Sequence, residues 1–436
     1  MCVEQEIQTE IGQAEYVSIL CDETTDISVT KQLIVIVYLR YVIRGDLKVR
    51  YFKIHEVIDG TADTIKDALL SIIQEAEIPM SKIIGFGSDG ASVMVGCRGG
   101  VATQLKSHNP AMIAVHCVAH RLALADSIPD IKKFKGHISQ IFKYYHYSAV
   151  RSASLKAIED ILDDPVLIIK KASDTRWLSH DHAISTIRRV LPSLFTHLEQ
   201  QAEERADALA LGIVTVMKQY YFVASVYLLS DILPHLSRSS QLFQQRSIDF
   251  SQLHTRISNT ISVSETLKTQ DGPNLKKLET VFTAELSSCR ITVKEKDPEN
   301  FQKNVWEAYI NAIIANLKSR FPDMAIITSF GIFDPSQIPA KSSESFSQYG
   351  EDKLEVLIQH FGEAYLDQTA LHQEWIYMKQ LLADSFSSLS IREVLEMTLK
   401  DTSLTTLVPQ MCKLAAIALT IPITTADCEC GFSAVK

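Results

Sequence analysis

Residues 83–120 read IIGFGSDGASVMVGCRGGVATQLKSHNPAMIAVHCVAH, and this stretch decides the fold. Its apolar start at Ile83 and Ile84 predicts a short buried strand. Three glycines follow closely and predict a sharp turn where Asp89 leaves the strand. A helix comes next, then a second short strand over 113–117 and another helix. Open α/β sheets hold ligands and metals at the carboxyl ends of their strands, so Asp89 is a candidate site residue.

The glycines of this stretch allow a second interpretation. Gly85, Gly87 and Gly90 form the G-x-G-x-x-G pattern of a dinucleotide phosphate loop. Such a site needs an acidic residue about 20 positions later to bind the ribose. No Asp or Glu occurs between Ala91 and Ala125. This disfavours dinucleotide binding and directs attention to carboxylates that could join Asp89.

Three strands are predicted upstream. Residues 16–21 form a β-rich run that ends in Asp22, and residues 33–42 are nearly all apolar, as in a strand covered on both faces. Residues 47–57 partly alternate, as in a strand nearer an edge. A helix with regular apolar spacing follows over 61–76. Together with 83–120, the order is strand, strand, strand, helix, strand, helix, strand, helix.

That order matches a ribonuclease H-like sheet, in which the first and fourth strands are neighbours. Asp22 and Asp89 would then lie a few ångströms apart. Two carboxylates so placed repel unless a cation lies between them, which predicts a Mg²⁺ or Mn²⁺ site. Residues 404–436 are mostly apolar until Pro422, and their one glutamate is Glu429. If the last helix packs on the sheet, Glu429 supplies a third carboxylate.

The long middle of the chain has helical spacing almost throughout, including one long predicted helix over 199–232. It is far too long for a loop and predicts an all-α insertion. The fold class is therefore α/β plus all-α, a mixed sheet interrupted by helices. The predicted domains are 1–128, the first part of the ribonuclease H-like core; 129–400, the insertion; and 401–436, a C-terminal region that completes the core.

A basic and aromatic stretch begins the insertion. Between Lys132 and Arg189 the sequence has 11 Lys or Arg and 6 Asp or Glu. Lys133 and Lys135 belong to this basic set. The interleaved aromatic residues are Phe134, Phe142, Tyr144, Tyr145, Tyr147 and Trp177. Basic groups and aromatic faces can bind phosphates and stack bases. The alternative is a solvated helix face with core aromatics.

Composition restricts the class of protein. With 436 residues and 46% hydrophobic side chains, the chain can bury a large core. No apolar run reaches the roughly 18 to 20 residues of a membrane span, and the acidic N-terminus is unlike a secretory signal, so we expect an intracellular protein without a membrane partner. The eight thinly spread cysteines indicate reduced thiols. A net charge of −9 limits any nucleic-acid surface to a local one.

Five sequence blocks in order resemble the hAT transposase superfamily, in its domesticated or truncated form. They are CDETTDIS at 21–28, GFGSDGASVMVG at 85–96, HCVAHRLAL at 116–124, DTRWLS at 174–179 and ALTIPITTADCECGFSAVK at 418–436. The first two resemble the blocks of the first and second catalytic aspartates, and the last resembles the C-terminal dimerisation signature.

The resemblance implies a site and partners. Asp22, Asp89 and Glu429 correspond to the catalytic and metal-binding carboxylates, which would hold Mg²⁺ or Mn²⁺ in an active relative. Trp177, beside Arg176, corresponds to an insertion tryptophan that stacks on DNA ends. The family also implies a homo-oligomer formed through the C-terminal helices, DNA as a partner and a nuclear location.

Two departures from the family decide between two functions. Cys430 stands where the signature usually has arginine, and the chain starts almost at the sheet, without the Cys/His zinc finger of such transposases. We therefore expect a transposon-derived protein that acts by dimerisation and nucleic-acid binding, with transposition lost. The alternative is an active metal-dependent enzyme that cleaves and transfers DNA strands. A zinc site formed by Cys117, His120, Cys428 and Cys430 is disfavoured against buried packing.

Overall fold

The protein is described here from a computed structural model, which covers residues 3–25, 33–88, 91–96, 98–116, 128–171, 177–243, 250–280, 297–319 and 324–422. Its strands are β1 (Val17–Thr25), β2 (Leu33–Ile43), β3 (Asp46–Val57), β4 (Ile83–Ser88) and β5 (Ile113–His116). The helices as far as β5 are α1 (Val3–Gln13), α2 (Ala62–Glu75), α3 (Ser92–Val95) and α4 (Val101–His108).

The helices after β5 make up the rest of the described chain. Those up to residue 319 are α5 (Pro129–His146), α6 (Ala149–Ile161), α7 (Trp177–Arg189), α8 (Leu191–Glu204), α9 (Ala208–Met217), α10 (Tyr220–Phe243), α11 (Phe250–Thr269), α12 (Leu278–Thr280), α13 (Pro298–Phe301) and α14 (Ala308–Ser319). The later ones are α15 (Met324–Ser329), α16 (Ser345–Gln348), α17 (Glu351–Phe361), α18 (Gln368–Asp384), α19 (Ile391–Lys400), α20 (Thr402–Leu407) and α21 (Pro409–Thr420). Short 3₁₀ turns lie at Met80–Lys82, Leu275–Lys277, Phe330–Phe333 and Pro335–Gln337, and a π-helix at Gln302–Glu307.

The five strands form one mixed sheet in the order β3-β2-β1-β4-β5. β2 pairs antiparallel with β3 and with β1, whereas β4 pairs parallel with β1 and with β5. The sequence-based prediction that the first and fourth strands are neighbours is confirmed. The α/β class with an added helical part is confirmed as well. Among the described helices, none has the length and apolar character needed to span a membrane.

One face of the sheet carries the main core of the first compact unit. Val17, Ile19 and Cys21 of β1 alternate toward this core, as Val35, Val37, Leu39 and Tyr41 of β2 do. α2 covers them with Ile65, Leu69 and Ile72, after a start in which the Thr61 side chain accepts a hydrogen bond from the Thr64 amide. The inward side chains of the strands, spaced two residues apart, and those of α2, spaced three or four apart, therefore pack into one apolar layer.

The chain divides into two compact units, described separately below. Unit 1 comprises Met1–Val118, Phe243–Thr255 and Phe321–Lys436, and unit 2 comprises Ala119–Leu242 and Arg256–Arg320. The helices from α15 onward thus belong with the sheet, although the sequence analysis placed residues up to 400 in the insertion. Polar contacts attach them: Tyr365 Oη donates to the Ser81 carbonyl at 2.8 Å, and His360 Nε2 lies 3.0 Å from the Ala111 carbonyl oxygen.

Unit 2 is helical over its described residues. The single long helix predicted over 199–232 is wrong, because this segment contains the end of α8, then α9, then the first half of α10. Two local features end α8: Ala206 has a positive φ of 50°, and Asp207 caps α9 by accepting hydrogen bonds from the Leu209 and Ala210 amides. Apolar periodicity does not register such a break, since the cap is one short polar residue.

Candidate functional site: the β1–β4 seam and the helix that reaches it

The two central parallel strands, β1 and β4, are paired in register over the residues that directly precede the two candidate aspartates in the sequence; these paired residues, 18–21 and 85–88, are called the β1–β4 seam. β1 and β4 are paired from Ser18↔Gly85 to Cys21↔Ser88, so the next positions along the two strands are 22 and 89. Asp22 lies inside β1, which continues to Thr25 because β2 still offers antiparallel partners there. The prediction that β1 ends at Asp22 is therefore wrong.

Gly85 and Gly87 have a packing role rather than the turning role expected from the sequence. Both lie within β4. A Cβ at Gly85 would overlap Ser18 Oγ and lie 2.8 Å from Cδ of Pro422, and a Cβ at Gly87 would lie 2.5 Å from a Leu20 methyl and 3.2 Å from Cγ of Pro422. Glycine at alternate strand positions is what close approach of another chain segment requires. These two glycines receive Pro422 on the Ser18 and Leu20 face of the sheet.

The helix α21 delivers Pro422 to that face. It is buried along nearly its whole length and packs on β2 and β4. At its start, the Met411 amide donates to Glu374 Oε2 at 2.8 Å. At its end, Arg40 Nε donates to the Leu419 carbonyl at 3.1 Å. An acidic acceptor at the N-terminus and a cation at the C-terminus both match the helix dipole, so α21 is fixed at its two ends.

Burial raises the pKa of two ionisable groups beside α21. It raises the pKa of Glu374, an effect that the amides of Met411 and Gln410 partly offset by hydrogen bonding. Burial, with the nearby Glu374 charge, also raises the pKa of the Cys412 thiol to about 12. Cys412 Sγ contacts the Thr398 carbonyl at 3.4 Å. This thiol is protonated and packed, as is typical of a structural cysteine. Cys21, the other cysteine among the described residues, is buried as well.

Of the three predicted metal ligands, the structure describes only the backbone of Asp22. The backbone of Asp22 lies in β1, whereas Asp89 and Glu429 lie outside the described residues. Within the described ranges, no group of three or more His, Cys, Asp or Glu residues is arranged to hold a metal. The convergence of Asp22, Asp89 and Glu429 on Mg²⁺ or Mn²⁺ thus stays a prediction. Cys117, His120, Cys428 and Cys430 likewise fall outside the described ranges.

The predicted nucleic-acid residues lie in unit 2. Lys132 and Lys133 are exposed on α5 and Lys135 is half-buried there, while Trp177 is the first residue of α7 and Arg176 lies outside the described residues. Most of the interleaved aromatic side chains belong to the core. The buried ones are Phe134, Phe142, Tyr144 and Tyr145. These four faces are unavailable for stacking on bases, so of the described set only Tyr147, which is 78% exposed, could serve.

Sequence reasoning missed the residues that position this site. Glu374 and Arg40 hold α21, and Pro422 seats on Gly85 and Gly87. The signal was present in the two glycines, whose spacing of two inside an apolar run is typical of a strand approached closely by another segment. We interpreted that spacing as a turn.

One comparison with known proteins bears on this half of unit 1. Residues 1–100 match the family described as "DUF4371: ZMYM1/FAM200, RNase-like domain". The matched range contains β1 to β4 and therefore the whole β1–β4 seam. The match supports a ribonuclease H-like domain of transposase-derived type for this part of the chain.

Proposed function

We propose that this chain derives from a hAT-type transposase and that Asp22, Asp89 and Glu429 form a Mg²⁺ or Mn²⁺ site that acts on nucleic-acid strands. The observation that carries the proposal is the seating of Pro422 on Gly85 and Gly87. It brings the chain that leads to Glu429 onto the sheet at the strand that leads to Asp89. The sequence alone favoured a role in dimerisation and nucleic-acid binding. The contact of Pro422 with Gly85 and Gly87 is the reason that we now favour the metal site.

The register of the parallel strands supports the first two ligands. Positions 22 and 89 follow the last β1–β4 pair, Cys21↔Ser88. Neighbouring strands are about 4.8 Å apart, and in-register residues of parallel strands belong to the same face. Two carboxylates at that spacing disfavour each other's ionisation unless a cation compensates them.

The distance along the chain supports the third ligand. Glu429 is seven positions after Pro422. Seven residues span about 10 Å as a helix and about 23 Å when extended, so Glu429 can reach the end of the β1–β4 seam in either conformation. Because Arg40 and Glu374 fix α21, the start of this span is itself fixed.

The donor set fits a hard divalent cation. Three carboxylates offer only oxygen ligands, which Mg²⁺ and Mn²⁺ prefer. When bound, such an ion lowers the pKa of a water nucleophile and stabilises the leaving oxygen of a phosphodiester. The exposed Lys132 and Lys133, with Lys135, Arg176 and Trp177, are the proposed contacts to the nucleic acid.

Metal titration tests the proposal. We expect wild type to bind Mn²⁺ in calorimetry and Asp89→Asn or Glu429→Gln to bind it at least about tenfold more weakly, since each removes a ligand. Asp67→Asn is the matched control, because Asp67 is an exposed aspartate of α2 whose partner is Lys66. Equal binding by wild type and Asp89→Asn would refute the site. Metal-dependent nicking of a flanked-end DNA substrate by wild type alone would establish the strand-cleaving activity.

A second candidate function is a dimerising scaffold, which one observation favours. The late helices of unit 1 expose large apolar side chains: Ile376 is 61% exposed, Tyr377 48%, Met397 44% and Leu407 56%. A contiguous exposed apolar patch is typical of an association surface, and we propose that these side chains contribute to one. Light scattering after size exclusion tests it: a wild-type dimer that Ile376→Lys converts to a monomer supports the scaffold, and a monomeric wild type contradicts it. Either function would be exercised in the nucleus.

A further inference from the structure

Unit 2 contains a cavity that neither the sheet nor the proposed metal site uses. Its volume is about 200 Å³, and it lies between the end of α5, one side of α6 and the extended segment that follows α6. Apolar walls are formed by Leu155, Leu167 and Ile169. A dry cavity of about 150 Å³ can accommodate benzene, so the space suffices for a small organic molecule.

Glu159 of α6 lines this apolar cavity. Its side chain is fully buried, and neither carboxylate oxygen has a hydrogen-bond partner of normal geometry among the residues that the structure describes. The Leu167 amide favours the charged form of Glu159, but burial outweighs it and raises the pKa of Glu159. An unpaired buried carboxylate is costly, and in proteins it is neutralised or compensated by a cation.

Among the described residues, the buried polar groups beside Glu159 supply no such cation. Tyr145 Oη is 2.9 Å from His197 Nδ1, so the hydroxyl and this ring nitrogen are paired, while the buried Nε2 has no partner among the described residues. Burial, together with the charges of Arg205 and Arg151, lowers the pKa of His197 to about 4, which leaves its ring neutral at pH 7. Ser152 Oγ donates to the Tyr145 carbonyl at 2.9 Å. The buried Tyr145 and His197 are therefore neutral, and the Ser152 hydroxyl is already engaged.

The charges nearer the solvent compensate Glu159 only in part. Lys156, whose charge favours ionisation of Glu159, lines the cavity but is exposed to solvent. Asp160 and Asp164 oppose that ionisation. Asp164 Oδ2 is occupied by the Ser193 hydroxyl at 2.5 Å. The cavity thus combines apolar walls with a buried carboxylate that has no hydrogen-bond partner of normal geometry among the described residues.

We propose that this cavity is a binding site for a small primary amine, whose ammonium group pairs with Glu159 once the buried carboxylate turns toward the cavity, and whose hydrocarbon part contacts Leu155, Leu167 and Ile169. Apolar walls with a few placed polar groups are the usual form of a small-molecule pocket. The ammonium also explains why a glutamate occupies a fully buried position of α6 that an apolar residue would otherwise fill. This site is independent of the proposed metal site.

Wild type provides the first test. Benzylamine and benzyl alcohol have nearly the same shape but differ in charge. We expect benzylamine to shift the methyl NMR signals of Leu155, Leu167 and Ile169 and to leave that of Ile65, in unit 1, unchanged. Benzyl alcohol should bind at least about tenfold more weakly, because it can donate a hydrogen bond to a carboxylate but cannot form an ion pair with it. Equal affinity for the two compounds, or no shift with benzylamine, would overturn the proposal.

Variants provide the second test. Glu159→Gln keeps the side-chain shape and removes the charge, so its affinity for benzylamine should fall about tenfold or more, to that for benzyl alcohol. Asp160→Asn is the matched control, since it removes a neighbouring charge that is exposed, and it should bind benzylamine at least as well as wild type. Unchanged affinity in Glu159→Gln would overturn the proposal. If Glu159→Gln does not fold, the comparison of amine with alcohol on wild type decides.

A last arm separates two sources of the ammonium group. Nα-acetyl-lysine methylamide presents the same group as a lysine of a second protein. Binding tighter than that of benzylamine assigns the ammonium to a protein side chain, and weaker binding assigns it to a free amine. Both results require Glu159 as the partner.

Discussion

Replacing Gly85 by alanine is expected to destabilise unit 1 by displacing Pro422 from the sheet. The new Cβ would overlap Ser18 Oγ and approach the Pro422 ring to 2.8 Å. Overpacking of this kind costs about 1 to 3 kcal/mol. Removing a glycine from a strand interior returns about 0.5 to 1 kcal/mol. The net expectation is a loss of about 1 to 2 kcal/mol in the free energy of unfolding.

A matched glycine should give the opposite sign. Gly12 lies in α1, and a Cβ there would meet no atom within 4 Å. Gly12→Ala is therefore expected to stabilise the same unit by up to about 1 kcal/mol, the helix-propensity difference between the two residues. Native-state hydrogen exchange, read by mass spectrometry on peptides that cover β1 and β4, measures both changes within unit 1.

A double-mutant cycle identifies the cause. Ser18 Oγ is buried without a hydrogen-bond partner among the described residues, so Ser18→Ala alone should cost little. Adding it to Gly85→Ala removes the nearest clash and should recover part of the loss, which appears as a coupling energy of about 0.5 kcal/mol or more. A Gly85→Ala variant as stable as Gly12→Ala, or a cycle without coupling, would refute the close-packing explanation of the two strand glycines.

Two further predictions concern buried polar groups. Asn109 Nδ2 lies 3.1 Å from the Met80 carbonyl, 3.0 Å from the Ile83 carbonyl and 2.9 Å from Tyr365 Oη, and Asn109 Oδ1 accepts a hydrogen bond from the Ala111 amide. Asn109→Ala should therefore lower the free energy of unfolding in denaturant by about 2 to 4 kcal/mol, because several buried groups lose their partners. A loss no larger than that of Asn304→Ala, at an exposed site, would contradict this. His197, whose pKa falls from 6.5 to about 4 on folding, binds protons more readily in the unfolded state, so its contribution is complete above pH 6.5 and lost as the pH falls toward 4. That contribution is about 3 kcal/mol. His197→Asn, whose side chain can still accept a hydrogen bond from the Tyr145 hydroxyl, should flatten the pH dependence of the free energy of unfolding between pH 6.5 and about 4. An unchanged slope would exclude His197 as the source of that pH dependence.

The sheet could be predicted from the sequence because its strands are strongly patterned. The unbroken apolar run of β2, the alternation of β3 and the short apolar start of β4 are each typical of a strand. The neighbouring of β1 and β4 followed from element order, and the structure confirms it. Apolar periodicity could not predict helix ends that single residues produce, such as Ala206 and Asp207 between α8 and α9.

The positioning residues were beyond sequence reasoning for a different reason. Arg40 contacts Leu419, and Glu374 contacts the start of α21, so each role depends on a tertiary contact that no local pattern encodes. Glu159 is an intermediate case. It occupies the same face of α6 as Leu155, four residues earlier, and Ile158 beside it, so an acid at a core position could have been noticed from helical spacing alone. Its lack of a hydrogen-bond partner among the described residues could not have been noticed in this way.

The contact between Arg40 and Leu419 joins residues 379 positions apart. A ribosome adds about 5 to 20 residues per second, so roughly 20 to 75 s pass between synthesis of β2 and arrival of the helix that packs against it. During that interval Leu20, Ile36 and Ile84, all buried in the finished protein, lack their final cover. Nascent chains of this protein should therefore need chaperone protection until α21 emerges, and the cost of closing so long a loop should make α21 docking a late step of maturation.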